Sequence, residues 1–198
     1  MTAARRPRLI LASASPRRRE LLASAGFEFE VVAPGVREIG TNDFTLREAT
    51  SCNALRKGLA VARAHPDAIV LAADTLVALG HEVIGKPRDH REAAHILRRL
   101  AGRSHTVVSG VFVAHLGEGR SETFSVSSTV VFKRLSDETI ENYLARIGPL
   151  DKAGGYAAQA EGRAIIARIS GSRTNVIGLP LEKTRAALAR FGLRPGRA

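Results

Sequence analysis

A basic cluster at the start of a predicted helix is the first segment that could do chemistry. Ser15 is a favourable N-cap and Pro16 suits the first helical position, so the arginines at positions 17–19 fall in the first turn. The helix dipole is positive at that end, and each cation there costs a few tenths of a kcal/mol up to about 1 kcal/mol. An anion bound by the backbone N–H groups together with the arginine side chains would offset this cost. The alternative is that the arginine stems lie across the surface and pair with Glu20 or Glu28.

An apolar run that leads directly to a carboxylate is the second such segment. The small and apolar residues at 69–73 predict a buried strand, which would place Asp74 in or near the core. A buried charge is costly unless it meets a cation, hydrogen-bond donors or a metal. The alternative is a carboxylate whose partners are nearby backbone N–H groups.

Three further polar residues belong to predicted loops. Glu38 follows the second predicted strand, and Lys86 lies on a tight loop between Gly85 and Pro87. Gln159 ends a segment, residues 151–159, whose small residues would let the backbone approach a ligand closely. The Gln159 amide could bind the edge of a base. Each residue also has an ordinary interpretation: an exposed glutamate, a solvated lysine and a glycine-rich turn.

Several common kinds of site are excluded by the motifs that the sequence lacks. The six histidines show no spacing that would place two metal ligands on one face. Neither the Gly-x-Ser-x-Gly motif of a nucleophilic serine nor the Gly-x-x-x-x-Gly-Lys-Ser/Thr phosphate loop is present. Cys52 is the only cysteine, which excludes an internal disulfide framework and a cysteine-rich zinc site.

The overall charge indicates anionic partners. The 198 residues carry a formal net charge of +11, which points to nucleic acid, phosphate-rich small molecules or anionic membranes. Tryptophan is absent and aromatic residues make up 5% of the chain, so base stacking on RNA is disfavoured. No apolar run reaches about 18 residues and no signal peptide is evident, so we expect a cytoplasmic protein that does not span a membrane.

Helical and strand patterns alternate along the chain and predict an α/β fold. We expect a mixed, partly antiparallel sheet with flanking helices, arranged as two lobes around a cleft. A single domain over residues 8–193 would have flexible termini at 1–7 and 194–198. Strands are predicted at 8–12, 28–33, 68–79, 82–84, 106–115, 121–132, 163–169 and 175–177, and helices at 16–25, 45–64, 90–100, 137–146 and 181–190.

Taken in order, these segments resemble the motifs of the Maf family of nucleotide pyrophosphatases. The opening motif is similar to residues 9–18, which read Leu-Ile-Leu-Ala-Ser-Ala-Ser-Pro-Arg-Arg. Later motifs are similar to residues 73–75 (Ala-Asp-Thr), 85–87 (Gly-Lys-Pro), 97–102 (Leu-Arg-Arg-Leu-Ala-Gly), 151–154 (Asp-Lys-Ala-Gly) and 178–181 (Gly-Leu-Pro-Leu). The resemblance extends from Leu9 to Leu193 and implies a fold like that of inosine triphosphatase.

The resemblance implies hydrolysis of nucleoside triphosphates to a monophosphate and diphosphate, which would remove unwanted nucleotides from the cellular pool. The branch of the family that acts on dTTP and UTP carries arginine, threonine and glutamine where this chain has Arg17, Thr75 and Gln159. This match favours dTTP and UTP over 7-methyl-GTP.

The resemblance also implies roles for individual residues. Asp74, Glu38 and Lys86 are the implied catalytic residues, and Glu38 and Asp74 would bind Mg²⁺ or Mn²⁺. Which carboxylate binds the metal and which acts as the base is left open. The implied substrate-binding residues are Ser13, Arg17, Arg18, Lys57, Thr75 and Gln159.

This chain departs from the family pattern at several positions. Asn53 replaces an apolar residue, and Gly58 replaces an alanine, which predicts a helix weakened by about 1 kcal/mol next to Lys57. Ala160 replaces a glycine, and residues 156–158 (Tyr-Ala-Ala) are unusual before Gln159, so the base preference could differ from that of the family.

Other functions are compatible with the same residues. The chain could be a nucleotide-binding regulator of cell division with little catalysis, or a pyrophosphatase for 7-methyl-GTP or another modified nucleotide. A nucleic-acid binder would show steep salt dependence and need no metal. The expected partner is a nucleoside triphosphate, with no stable nucleic acid and no membrane; a homodimer is left open.

Overall fold

The computed structural model describes residues 7–40 and 44–196 and has an α/β fold. The terminal segments 1–6 and 197–198, where flexibility was predicted, lie outside this range. Within it, no helix is both long and apolar enough to cross a membrane. The strands are β1 (Leu9–Leu11), β2 (Glu30–Val31), β3 (Ile69–Leu79), β4 (Glu82–Ile84), β5 (Ser104–His115), β6 (Arg120–Phe132) and β7 (Ile166–Ser170). The α-helices are α1 (Pro16–Ser24), α2 (Leu46–Ala62), α3 (His90–Leu100), α4 (Asp137–Leu144), α5 (Arg173–Ile177) and α6 (Leu181–Arg190).

The seven strands form one mixed sheet, as predicted. Their order is β2-β1-β3-β5-β6-β7, with β4 paired to β3. β1 is parallel to both β2 and β3, whereas β4 is antiparallel to β3 and β7 is antiparallel to β6. The predicted hairpin is present, because β5 and β6 are neighbours joined by a short 3₁₀ turn, Leu116–Glu118.

The chain divides into two compact units. The first unit contains the residues up to Asp74, Ser109–Ser125 and the residues from Gly178 onward. The second unit contains Thr75–Val108 and Val126–Ile177. Strands β3, β5 and β6 contribute residues to both units. Whether a cleft separates two lobes stays a prediction.

Helix α2 packs very closely against its strands in the first unit. A Cβ atom added to Gly58 would lie 2.2 Å from Cδ1 of Phe112, whose ring is buried, and 3.3 Å from the Cβ of Ala72. A Cβ added to Gly110 on β5 would lie 2.4 Å from the backbone carbonyl of Thr50 on α2. Gly58 therefore has a packing role: its missing side chain lets the helix approach the sheet.

A buried apolar cluster forms the core of the second unit. It includes Ile96 and Leu97 of α3, Phe132 of β6, Ile140 of α4 and Ile165. This cluster forms because α3 and α4 each place one apolar face inward.

The strand predicted at residues 175–177 is wrong, because these residues lie in the short helix α5. Ser172 starts this helix: its Oγ accepts a hydrogen bond from Asn175 N at 3.2 Å, and its carbonyl accepts one from Val176 N at 3.3 Å. The buried Asn175 side chain donates to Val107 O at 3.1 Å and to Ser128 Oγ at 3.0 Å. Capping by Ser172 and the buried amide of Asn175 thus outweigh the preference of the β-branched Val176 and Ile177 for a strand.

We expect Gly58→Ala to destabilise the protein, although alanine is the better helix former. The new methyl group would displace the buried Phe112 ring, and such overpacking costs roughly 1–3 kcal/mol. Urea denaturation measures the change in the free energy of unfolding. Gly148→Ala is the matched control, because the space around Gly148 is open, and its effect should stay within about 0.5 kcal/mol. A stabilised Gly58→Ala variant would show that helix propensity matters more than packing at this position.

Candidate active site

The register of β1 and β3 brings two of the predicted site residues together. Leu11 lies opposite Leu71, and Ala12 N donates to Leu71 O at 2.8 Å. Ser13 follows Leu11 by two residues and Asp74 follows Leu71 by three, so both lie just beyond this paired stretch. Ligands of open α/β sheets bind outside the carboxyl ends of parallel strands, so this end of β1 is a favourable position for a site.

Asp74 is a buried carboxylate that binds side chains from helix α2. The residue is 3% exposed. Its Oδ1 accepts a hydrogen bond from Lys57 Nζ at 2.6 Å, and its Oδ2 accepts one from Asn53 Nδ2 at 3.1 Å. Lys57 and Asn53 lie four residues apart, on one face of the helix. A cation and an amide thus stabilise the charge that the sequence places in the core.

Lys57 also binds the second predicted carboxylate. Its Nζ donates to Glu38 Oε1 at 2.6 Å, so one ammonium bridges Glu38 and Asp74. Glu38 lies in the loop after β2, as predicted, and its side chain is 48% exposed. Gly58 does not prevent Lys57 from reaching the carboxylates; the close packing that it allows brings the helix towards β3.

Arg18 of α1 turns inward at the end of β1. Its Nε donates to Gly178 O at 2.9 Å, and its Nη1 donates to Ser13 Oγ at 3.3 Å. Burial lowers the pKa of the Arg18 guanidinium, the charge of Asp74 raises it, the charge of Arg17 lowers it, and the charge of Glu38 raises it. Arg18 therefore shares its electrostatic surroundings with both carboxylates of the site.

The first turn of α1 has the composition of an anion-binding turn. Ser15 occupies the N-cap position before Pro16, but its side chain makes no capping hydrogen bond. No acidic residue lies in this turn, so no helix carboxylate balances the positive end of the dipole. The first unit thus brings together Ser13, Arg17, Arg18, Glu38, Lys57 and Asp74.

The other predicted site residues, Thr75, Lys86 and Gln159, belong to the second unit. There the Lys86 loop is attached to the segment that leads to Gln159, because Gly154 N donates to Gly85 O at 3.0 Å. Gly154 has a φ of 77°, and a Cβ on it would lie 3.0 Å from the Tyr156 ring. This turn therefore requires glycine.

Side chains from two helices hold the backbone just before Gln159. Tyr143 Oη accepts a hydrogen bond from Ala157 N at 2.9 Å and donates one to Ala157 O at 3.3 Å. Arg173 Nη2 donates to Ala158 O at 3.0 Å. Burial raises the pKa of Tyr143 to about 12, so the phenol keeps its proton at neutral pH. Ala157 and Ala158, which depart from the Maf pattern, thus belong to a hydrogen-bonded segment that leads directly to Gln159.

Comparison with known proteins identifies the family. The family model described as "Maf-like protein" matches residues 8–191. The chain belongs to the Maf family. It is similar to a protein named dTTP/UTP pyrophosphatase from Dictyoglomus turgidum, with 44% identity over 94% of this chain and 97% of that protein. It is also similar to a protein of the same name from Myxococcus xanthus, with 47% identity over 93% of this chain and 93% of that protein. Among solved structures it is similar to the Ham1 protein of Staphylococcus aureus, with a TM-score of 0.45 and 14% identity over 63% of this chain and 71% of that one.

The predicted family and enzyme class, a nucleoside triphosphate pyrophosphatase, are confirmed by these comparisons. The roles assigned to individual residues stay predictions. Asn53 is the residue that the sequence reasoning missed, since it was noted only as a departure from the Maf pattern. Its position four residues before Lys57 was the available signal.

An aromatic cluster in the second unit includes Tyr156, from the segment before Gln159, and a buried histidine, His105. His105 Nε2 and Tyr156 Oη form a hydrogen bond of 2.8 Å, and Phe132 packs edge-on against both rings. In the part of the chain that the structure covers, His105 Nδ1 has no hydrogen-bond partner. Burial lowers the pKa of His105 from 6.5 to about 4, so the folded protein holds a neutral imidazole at pH 7.

We expect His105 to make the protein less stable in mild acid. The unfolded chain protonates this residue below pH 6.5 and the folded chain only near pH 4, so acid favours unfolding between these values. Stability should fall by about 2 kcal/mol from pH 7 to pH 5.

The comparison of wild type with His105→Gln isolates this effect, because all other titrating groups are common to both proteins. Denaturant unfolding at pH 5, 6 and 7 should show the difference in stability shrinking as the pH falls. A difference that is constant with pH would mean that His105 is protonated equally in the folded and unfolded chains.

Proposed function

We propose that this protein hydrolyses nucleoside triphosphates between the α- and β-phosphates, with dTTP and UTP as preferred substrates. The observation that carries the proposal is the buried Asp74, bridged to Glu38 by Lys57 at the end of β1 and close enough to affect the pKa of Arg18. Relatives named dTTP/UTP pyrophosphatase, 40–47% identical over nearly the whole chain, support the substrate. Removal of unwanted nucleotides from the cytoplasmic pool is the proposed role, and a lone cysteine suits that reducing compartment.

The cations of the first unit are suited to hold the triphosphate. The substrate carries about four negative charges, which fixed positive groups must stabilise. Lys57 and Arg18 lie at the carboxylate pair, and Arg17 lies in the uncapped turn of α1. Ser13 Oγ, which contacts both Arg18 and Ser15 N, can contact a phosphate oxygen at the same place. Lys86 is proposed as a further cation for the phosphates.

The two carboxylates fit a divalent cation, Mg²⁺ or Mn²⁺. Mg²⁺ in nucleotide sites is usually bound by one or two carboxylates together with substrate phosphates. Among residues 7–40 and 44–196, no group of three or more histidine, cysteine or acidic side chains could hold a metal. A cation at Glu38 and Asp74 would therefore take its other ligands from the nucleotide and from water. When bound, it supplies positive charge that stabilises the phosphates.

Asp74 is the proposed proton acceptor. A water molecule attacks the α-phosphorus, its proton passes to the Asp74 carboxylate, and the bond from the α-phosphorus to the bridging oxygen breaks. Diphosphate then leaves with the bonding electrons. Lys57 and Asn53 fix the Asp74 carboxylate in one orientation, which is what a general base requires.

Gln159 is proposed to recognise the base. Its amide offers a donor and an acceptor, which match O4 and N3–H of uracil or thymine. Purines present a different edge, and a site built to hydrogen-bond one edge rejects ligands that leave its polar groups unpaired. Thr75 and Arg17 occupy the other two positions that mark this substrate class.

The direct test is a product assay with wild-type protein on dTTP, UTP, ATP, GTP and 7-methyl-GTP, each with and without Mg²⁺. We expect dTTP and UTP to be cleaved fastest and to give monophosphate and diphosphate in equal amounts. Chelation of the metal should abolish turnover. Faster cleavage of 7-methyl-GTP would contradict the base assignment, and absence of all turnover would favour a nucleotide-binding regulator.

Gln159→Ala provides the matched variant for base selection. It should flatten the ratio of dTTP to ATP turnover more than it lowers the best rate, because it removes the amide that contacts the base. An unchanged ratio would assign base recognition to other residues.

Asp74→Asn should lower turnover by at least about a hundredfold, the scale of a lost general base. The variant should stay folded, because Lys57 keeps its bond to Glu38. Steady-state kinetics and circular dichroism measure the two effects. Asp67→Asn, at an exposed position, is the control and should leave turnover unchanged. Turnover of Asp74→Asn within a few-fold of wild type would remove Asp74 from the role of base.

A further inference from the structure

Asn53 is a buried amide that contacts the surroundings of both site carboxylates. The residue is 2% exposed. Its Oδ1 accepts a hydrogen bond from Ile39 N at 2.8 Å, and its Nδ2 donates to Ile39 O at 3.3 Å. The same Nδ2 donates its other proton to Asp74 Oδ2 at 3.1 Å. One side chain therefore binds the residue next to Glu38 and the proposed base.

We propose that Asn53 is a positioning residue that sets the distance between Glu38 and Asp74 before the nucleotide binds. This inference rests on the proposed function, since it assigns both carboxylates to the pyrophosphatase reaction. Asn53 does not touch the substrate; it acts through the two acidic residues.

The Glu38 loop needs such an attachment. Residues 32–40 form no helix or strand, and the Glu38 side chain is half exposed. Ordering the backbone of a free loop has an entropic cost for every residue that is fixed. The paired bonds to Ile39 hold this loop against α2, so Lys57 and Asn53 of the same helix meet both carboxylates in a fixed arrangement.

Only an amide at this position satisfies all three bonds. Leucine, an apolar residue of similar size, would leave the Ile39 backbone and Asp74 Oδ2 without these partners. Aspartate could still accept from Ile39 N, but it has no proton to donate when ionised and would place a second negative charge beside Asp74. The two substitutions therefore separate the attachment of the loop from the orientation of the base.

The experiment compares wild type, Asn53→Leu and Asn53→Asp by two independent measurements. Amide hydrogen exchange, followed by NMR without nucleotide or metal, reports whether Ile39 N–H is bonded. Steady-state kinetics on dTTP reports kcat and KM separately. Asn175→Leu is the control, because it removes another buried amide, one that donates to Val107 O and Ser128 Oγ.

We expect Asn53→Leu to exchange the Ile39 proton about fivefold faster or more, the scale of one lost hydrogen bond. Its kcat should fall roughly tenfold to a hundredfold, the scale of a misplaced catalytic group, with KM changed far less. Asn53→Asp should lose kcat similarly while Ile39 exchange rises less. Asn175→Leu should be less stable but keep its kcat at temperatures where it is folded.

Two results would overturn the proposal. One is an Asn53→Leu protein that is folded and keeps kcat within twofold of wild type; the other is Ile39 exchange that does not change in that variant. Failure of the proposed function would be recognised by a different result: wild type itself would then release no diphosphate from dTTP or UTP. The exchange measurement does not depend on that activity.

Discussion

The ammonium of Lys57 holds the site together, because two carboxylates bind it and one of them is buried. Without this cation, Asp74 would carry an uncompensated charge in the core, a situation that costs several kcal/mol. The bridge requires α2 to lie close to β3, and the absence of side chains at Gly58 and Gly110 makes that approach feasible. The helix, the loop with Glu38 and strand β3 are thus all constrained by one pair of short contacts.

The two compact units use different physical means to fix their polar residues. In the first unit, opposite charges and one amide determine where the acidic side chains lie. In the second unit, the segment before Gln159 is held by the phenol of Tyr143, the guanidinium of Arg173 and a cluster of aromatic rings. The second unit thus orders its polar segment by hydrogen bonds and ring packing, whereas the first unit relies on paired opposite charges.

Much of the fold could be predicted from hydrophobic patterns, and the site only in part. Strand β4 and helices α3 and α6 have the predicted bounds, because their hydrophobic patterns are local signals, and the Asp89 side chain caps the start of α3. Helix α5 was wrongly predicted as a strand, because Ser172 and a buried Asn175 decide its conformation. The buried Asp74 could be inferred from the apolar run before it. The roles of Asn53 and Gly58 could not, since they depend on Ile39 and Phe112, which only the folded chain places beside them.

The bond from Arg18 to the carbonyl of Gly178 joins residues 160 positions apart in the chain. Arg185 of α6 also reaches back to Ala25 O, at 3.2 Å, beside the end of α1. During synthesis at about 5–20 residues per second, the partner of Arg18 emerges roughly ten to thirty seconds after Arg18 itself. A nascent or prematurely terminated chain therefore lacks the carbonyl that orients this arginine. Nucleotide hydrolysis should begin only after Gly178 has been synthesised, so chains that stop before this residue would not consume the cell's triphosphates.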